Sequence, residues 1–313
     1  MSSKGNLREH MKSIKQTVKI SSAQKLIAGA HIVKARKMLE HSQPYHDRIR
    51  LAIASVLNNC ESKSKYFDTG QEIKKRGLLV ISADRGLAGG YNQNIIRQTM
   101  QNMADRKVVK VLTVGHVGYR KFEHINTVTG QPIVPLDKNF IWEAENPTLF
   151  TSREIAEKLM DLLENNEVDS FDIIYTQFRS AVRMIPSTER LFPLSPKVLE
   201  EAYASTEAYV SNETSDSKEA GVSKNMLVHF SEYEPSPDAV LETLIPQYLR
   251  GYIFSCLTQA WMCELNSRVT AMESAIKNGN DMLRKLSLKY NRVRQGSITQ
   301  ELTEIVAGAA SME

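Results

Sequence analysis

Cysteine is scarce in this chain of 313 residues: Cys60, Cys256 and Cys263 form no even set and no CxxC pair. That excludes a disulfide framework and a thiolate metal site, and it fits a reducing compartment. Cys256 and Cys263 would share a helix face as small core thiols. The seven histidines include no HExxH motif and no spacing with cysteine that zinc needs. His41 and His46, on either side of Pro44 in a basic stretch, are expected to face solvent. No apolar run approaches the eighteen or so residues that cross a bilayer. The opening MSSKGNLREHMKSIK lacks the apolar core of a secretory signal and is too poor in Ser and Arg for a transit peptide.

What is present is the balance of a soluble protein, 42% hydrophobic and 24% charged, with an uneven charge distribution. The net charge is +4, yet residues 1–50 carry eleven Lys or Arg against three acids. A second cluster, Arg284, Lys285, Lys289, Arg292 and Arg294, has no acid between its ends. Basic helices suit nucleic acid, an anionic membrane or an acidic protein surface. A tether to membrane or nucleic acid is therefore one reading, although no nucleic-acid motif or aromatic interleaving supports the nucleic-acid half of it.

The strongest pattern lies near the C-terminus. Leu265, Val269, Met272, Ile276, Gly279, Leu283, Leu286, Tyr290 and Val293 follow one another in alternating steps of four and three, the heptad rhythm of a helix buried along one seam. The register slips at Gly296-Ser297 and resumes as Ile298, Leu302, Ile305, Ala309 and Met312. From Ile305 to Met312 the chain reads IVAGAASM, without a charge. Chain ends are usually polar and frayed, so this tip, with Ile305, Val306, Ala309 and Met312, is expected to be enclosed by a partner.

Residues 1–62 read as another long helix, with Leu7, Met11, Ile14 and Val18, then Leu26, Ala30 and Val33, and with a bend or break expected at Pro44. Residues 238–313 form the C-terminal helix, with Pro246, Gly251 and Gly279 as possible bends. Between them, 76–236 changes character. GLLVIS (77–82), VVKVLTVG (108–115) and FDIIYTQF (171–178) read as strands, and NMLVHFSEYE (225–234) as one more. Helices are expected over 91–105 and 151–166, the latter opened by a Thr151–Glu154 capping box, and 202–225 is a polar surface loop. The expected fold class is α/β: a long antiparallel coiled coil of N- and C-terminal helices with a central α/β domain of mostly parallel sheet. Such an architecture suits transmission of force or position better than a buried catalytic pocket.

One turn imitates a nucleotide site. Asp84, Arg85, Gly86, Gly89 and Gly90 lie between a strand and a helix, the setting in which backbone amides cradle phosphate. The turn contains neither GxxxxGK[ST] nor GxGxxG, so both the phosphate-binding Lys and the metal-binding Ser/Thr are missing. Its glycines are expected to permit tight packing where stalk and domain join, and no catalytic residue, metal, cofactor or small-molecule substrate is expected.

SITQELTEIVAGAAS (297–311) resembles the C-terminal signature of the gamma subunit of F-type rotary ATP synthases. IKQTVKISSAQKLIAGA (14–30), LLVISADRGLAGGYN (78–92) and YEPSPDAVLETLIPQYLRGYIF (233–254) agree with that family in order and spacing. The resemblance implies a non-catalytic rotor of the central stalk, peripheral on the cytoplasmic face of a bacterial inner membrane. Its partners would be the alpha and beta subunits of the catalytic ring, the epsilon subunit and the proton-driven ring of c subunits, with no nucleic acid. By the same resemblance Arg268 would face a loop of beta. Arg294, Gln295, Thr299 and Glu301 would be polar contacts with the surrounding ring, and the cluster from Arg284 through Lys285, Lys289 and Arg292 to Arg294 would face an acidic loop of beta. The chain departs from the family where Gln24 replaces a Met, His31 a Lys and Ala88 a common Cys.

Overall fold

Both long amphipathic segments form single helices. A computed structural model of the chain describes residues 4–59, 66–67, 72–105, 107–180, 183–194, 233–234 and 236–310. Cys60, Met312, the 202–225 loop and most of the strand expected at 225–234 lie outside the described residues. Helix α1 (Lys4–Asn59) runs through Pro44, and no break occurs there. The C-terminal helix, α5 (Pro237–Ala310), likewise continues through Pro246, Gly251 and Gly279. Each proline deprives the carbonyl four residues back of its helical donor. Those carbonyls belong to Glu40 and Glu242, both exposed, so water can serve in the donor's place.

The chain divides into two compact units, Met1–His31 with Leu265–Glu313, and Ile32–Glu264. In the first, α1 and α5 pair antiparallel. Val18 packs where a Cβ on Gly279 would sit, only 2.5 Å from its Cγ2, and Lys25 Nζ meets Glu273 Oε1 at 2.7 Å. Moving up α1 therefore moves down α5. Every expected seam position of α5 from Leu265 to Val293 is buried or half-buried.

The α1 seam differs from expectation after Val18. Its protected positions continue as Ser21, Lys25, Ala28, Ile32 and Ala35, then Leu39, Ser42, His46, Ile49, Ile53 and Val56, an unbroken alternation of three and four. Leu26, at 75% exposure, and Val33, at 57%, lie off that line, as does exposed Ala30. The heptad rhythm, not side-chain apolarity, selects what faces the partner, and small Ser21, Ala28 and Ala35 keep the helices close.

The second unit holds a five-stranded sheet of order β3-β2-β1-β4-β5. Its strands are β1 (Arg76–Ile81), β2 (Val108–Val114), β3 (Leu136–Trp142), β4 (Ser170–Phe178) and β5 (Met184–Phe192). All neighbours are parallel except β4 and β5, which agrees with the mostly parallel sheet expected. β3 and β5 escape the sequence reading because β3 carries Asp137, Lys138 and Asn139, and β5 carries Pro186, Glu189 and Arg190.

Helices α2 (Tyr91–Asn102), α3 (His116–Thr129) and α4 (Leu149–Glu164) complete the domain. The cap of α4 is Thr148, whose side chain accepts from the Thr151 N–H at 3.1 Å, so the Thr151–Glu154 box is not used. Alternation along β1 assigns its faces. Leu79 and Ile81 pack with α1, α4 and α5 residues such as Ile53, Leu159 and Ile253. Leu78 and Val80 pack with Ile95 of α2 and Phe122 of α3. Buried Asp172 of β4 is held by Arg76 of β1 and Arg190 of β5, a staple across three strands.

His46 does not face solvent as expected. It packs against Tyr248 and Tyr252 of α5, with ring centroids 5.1 and 5.8 Å away. It occupies a seam position, which its proximity to Pro44 obscured.

Two outcomes follow from this packing. Gly279→Ala should destabilise the chain by about 1–3 kcal/mol, because the added methyl overpacks against a stiff valine; thermal unfolding of the variant measures it, and Val18→Ala in the same chain should restore much of the loss. Burial, acting against Asp47 and with Arg50, depresses the His46 pKa below its ordinary 6.5. The unfolded chain therefore takes up this proton first as pH falls. The stability from neutral His46 is complete above about 6.5 and is lost as pH drops toward the lower folded value. Melting temperatures at neutral and mildly acid pH should show a smaller acid loss for His46→Phe than for the parent chain.

Candidate functional site

In a doubly wound sheet, a ligand would enter outside the carboxyl ends of the strands where the order reverses, here between β1 and β4. The chain's own C-terminal helix fills that crevice. Ala83, Ala88 and Tyr91 pack with Cys263 of α5, backed by half-buried Phe178 and Met184. The space left beside Ser82, Asp84, Trp261 and Glu264 is about 10 Å³, room for one water at most. Burial pushes the Cys263 thiol up to about 12 and holds Cys256 well above its ordinary value, so neither is a ready nucleophile at neutral pH.

Ser82, Asp84 and His116 are residue types from which a hydrolytic triad could be built, but they are engaged otherwise. The Asp84 carboxylate accepts from the backbone N–H groups of Ala144 and Glu145, each at 2.8 Å, and its other oxygen lies 3.0 Å from His116 Nδ1. The Ser82 hydroxyl is shared between the carbonyls of Val114 and Gly115, at 3.1 and 3.0 Å, and accepts from the Gly118 N–H at 2.9 Å. The group ties together the carboxyl ends of β1, β2 and β3. A side chain at Gly115, where φ is +91°, would place its Cβ 2.3 Å from the Ser82 carbonyl oxygen. Of the turn residues singled out from sequence, Asp84 is this knot, while Arg85, Gly86, Gly89 and Gly90 are not buried, and Gly89 takes a positive φ of 57°.

A second polar cluster was not visible in the sequence. Tyr175 of β4 donates to Glu189 Oε1 at 3.1 Å, and Tyr252 of α5 donates to Glu189 Oε2. Burial, reinforced by Cys256 and Glu189, keeps both phenols protonated far above neutral pH. Tyr248 and Tyr252, one turn apart, stack with centroids 5.9 Å apart. Their i,i+4 spacing was the available signal.

On α5, most of the residues expected to touch a partner are accessible, those before Val293 because they lie off the seam line. Arg268 is half-buried. Arg284, Lys285, Lys289, Arg292, Arg294, Gln295, Thr299 and Glu301 are exposed, and the Thr299 hydroxyl bonds back to the Gln295 carbonyl at 3.0 Å. Ile305 and Val306 stand 68% and 67% exposed. The Ala309 side chain and Met312 lie outside what is described. A further apolar surface, missed because it is off the seam, comes from Ile20, Ile27, Leu26 and Val33 of α1, all more than half exposed. The seven-residue spacings Ile20–Ile27 and Leu26–Val33 put each pair on one helix face.

The ATP synthase family model matches residues 3–312. The ATP synthase gamma chain of Ruminiclostridium cellulolyticum is 37% identical, covering 98% of this chain and 99% of its own length. That of Acetobacterium woodii, described as sodium ion specific, is 30% identical and covers 98% of each chain. A chain in the Euglena gracilis mitochondrial ATP synthase structure of OSCP, F1 and c-ring superposes with a TM-score of 0.64, covering 98% of this chain and 93% of that one at 15% identity. This last likeness concerns the fold.

Proposed function

The chain belongs to the ATP synthase gamma-chain family, and we propose that it is the central-stalk rotor that couples ion-driven rotation to conformational change at nucleotide sites on other subunits. The full-length kinship carries the reading. Two local features support it: the crevice where a ligand would bind is occupied by α5, and α5 carries an exposed basic band beside the last turns of its seam and continues past the seam as an exposed apolar tip. An asymmetric helix that turns inside a ring biases each site through contacts that differ with angle. Kinship with gamma chains leaves the alternative of a basic tether for membrane or nucleic acid without favour.

In this reading residues 1–62 and 238–313 form the stalk and 76–236 the domain that meets the ion-driven ring. The partners are the alpha and beta subunits around the stalk, with epsilon and the c ring at the domain. Arg268 and the band from Arg284 to Arg294 face acidic segments of beta. Gln295, Thr299 and Glu301 make polar contacts with the ring, and Ile305, Val306, Ala309 and Met312 enter an apolar sleeve. The exposed stripe of Ile20, Ile27, Leu26 and Val33 meets the same surroundings. No described helix is long and apolar enough to cross a membrane, and the chain works as a peripheral component on the cytoplasmic face of a bacterial inner membrane.

Mixing the purified chain with alpha and beta subunits should yield an assembled, active ATPase; failure to co-assemble overturns the proposal. Arg292→Glu combined with Arg294→Glu should leave the chain folded by circular dichroism and lower ATP-driven ion pumping several-fold. Unchanged pumping would remove those two residues from the contact.

A further inference from the structure

The hydrophobic contact between α5 and the sheet is extensive, but apolar burial is not directional. Leu241, Ile245, Leu249, Ile253 and Leu257 hold the helix down; they oppose its rotation about its own axis less strictly than hydrogen bonds, which weaken steeply when misaligned. One group supplies such bonds from both sides. Glu189 sits half-buried on β5 and accepts from Tyr175 of the adjacent strand and from Tyr252 of α5. Tyr252 in turn stacks on Tyr248 and meets the edge of His46 on α1. Buried Cys256 lies one turn further along α5.

Four elements thus converge on one carboxylate: two strands, the C-terminal helix and, through ring contact, the N-terminal helix. Tyr252 donates to one oxygen of Glu189 while Tyr175 engages the other, so the carboxylate that receives the helix is itself held by the sheet. The geometry points to Glu189, Tyr252 and Tyr175 as a positioning clamp that locks the rotational setting of α5 on the α/β sheet, so that torque received by the sheet reaches the helix without slack. The inference rests on the central-stalk reading for its use, while the clamp itself is a property of the chain.

Substitutions grade the clamp. Tyr252→Phe keeps the ring stacking and removes one hydrogen bond. Glu189→Gln has one carbonyl oxygen and cannot accept from both phenols in the present geometry. Glu189→Ala removes both acceptors.

In the isolated full chain carrying Cys60→Ser, spin labels at Thr243→Cys on α5 and Val109→Cys on β2 report the helix-to-sheet distance distribution. Its width should increase for Tyr252→Phe and Glu189→Gln and increase most for Glu189→Ala, with the mean helix content unchanged. Within the assembled ATPase, a bead on the α/β domain should show angular variance raised by about two-fold for Tyr252→Phe, as expected for loss of one directional bond among many apolar contacts. A merely stabilising role would lower melting temperatures and leave both the distance width and the angular variance as in the parent, and that result would overturn the inference. If the parent chain does not assemble or rotate, the central-stalk reading fails, and the spin-label distances still decide the clamp.

Discussion

The antiparallel seam between α1 and α5 is the contact on which the first unit depends. Helices of 56 and 74 residues are several times the usual length and have no reason to persist alone in water. Their stability comes from burying one stripe of each against the other. Because the period is seven residues for two turns, the partner sees only positions on that rhythm. At Gly279 the absence of a side chain is what lets Val18 close the gap. The same geometry leaves Leu26 and Val33 outside, although their chemistry suits a core.

In the second unit the order of strands creates a ligand crevice and the C-terminal helix occupies it. The Cys263 side chain and its neighbours complete an apolar cluster at the place where a doubly wound enzyme would keep room for a nucleotide. The residue types of a hydrolytic site survive nearby, but their polar atoms are saturated by backbone groups. A carboxylate that accepts two backbone N–H bonds holds loops in place; it has little capacity left to orient a catalytic base. The crevice has thereby become a joint between sheet and helix.

Periodicity made the two long helices and the buried face of α5 legible in the sequence, whereas α3 escaped it. The steps from Leu265 to Val293 named the buried face of α5 one residue at a time, and the slip at Gly296-Ser297 marked where protection ends. Three short apolar runs located β1, β2 and β4. The failures have a common cause, namely apolarity taken as the measure of burial. Ser21, Lys25, Ala28 and His46 are seam residues without a strongly apolar side chain, while β3 and β5 are edge strands whose exposed edges and faces admit charge. The Tyr175–Glu189–Tyr252 contact joins residues up to 77 positions apart and depends on sheet register, which no local pattern encodes.

The exposed end of α5 follows from the seam that precedes it. A stretch as short as 296–310 would be a marginal helix in isolation, since starting a helix costs several fixed dihedrals for one hydrogen bond. Here the paired portion has already met that cost, and the remainder extends by propagation, one bond per residue. Ile298, Leu302, Ile305 and Val306 are therefore displayed on an ordered surface and do not collapse into a core of their own. A partner that binds this end need not order it first, which removes a large part of the entropy that opposes association. The apolar tip and the distant seam are consequently one device: weakening the pairing near Gly279 or Val18 would loosen the end as well.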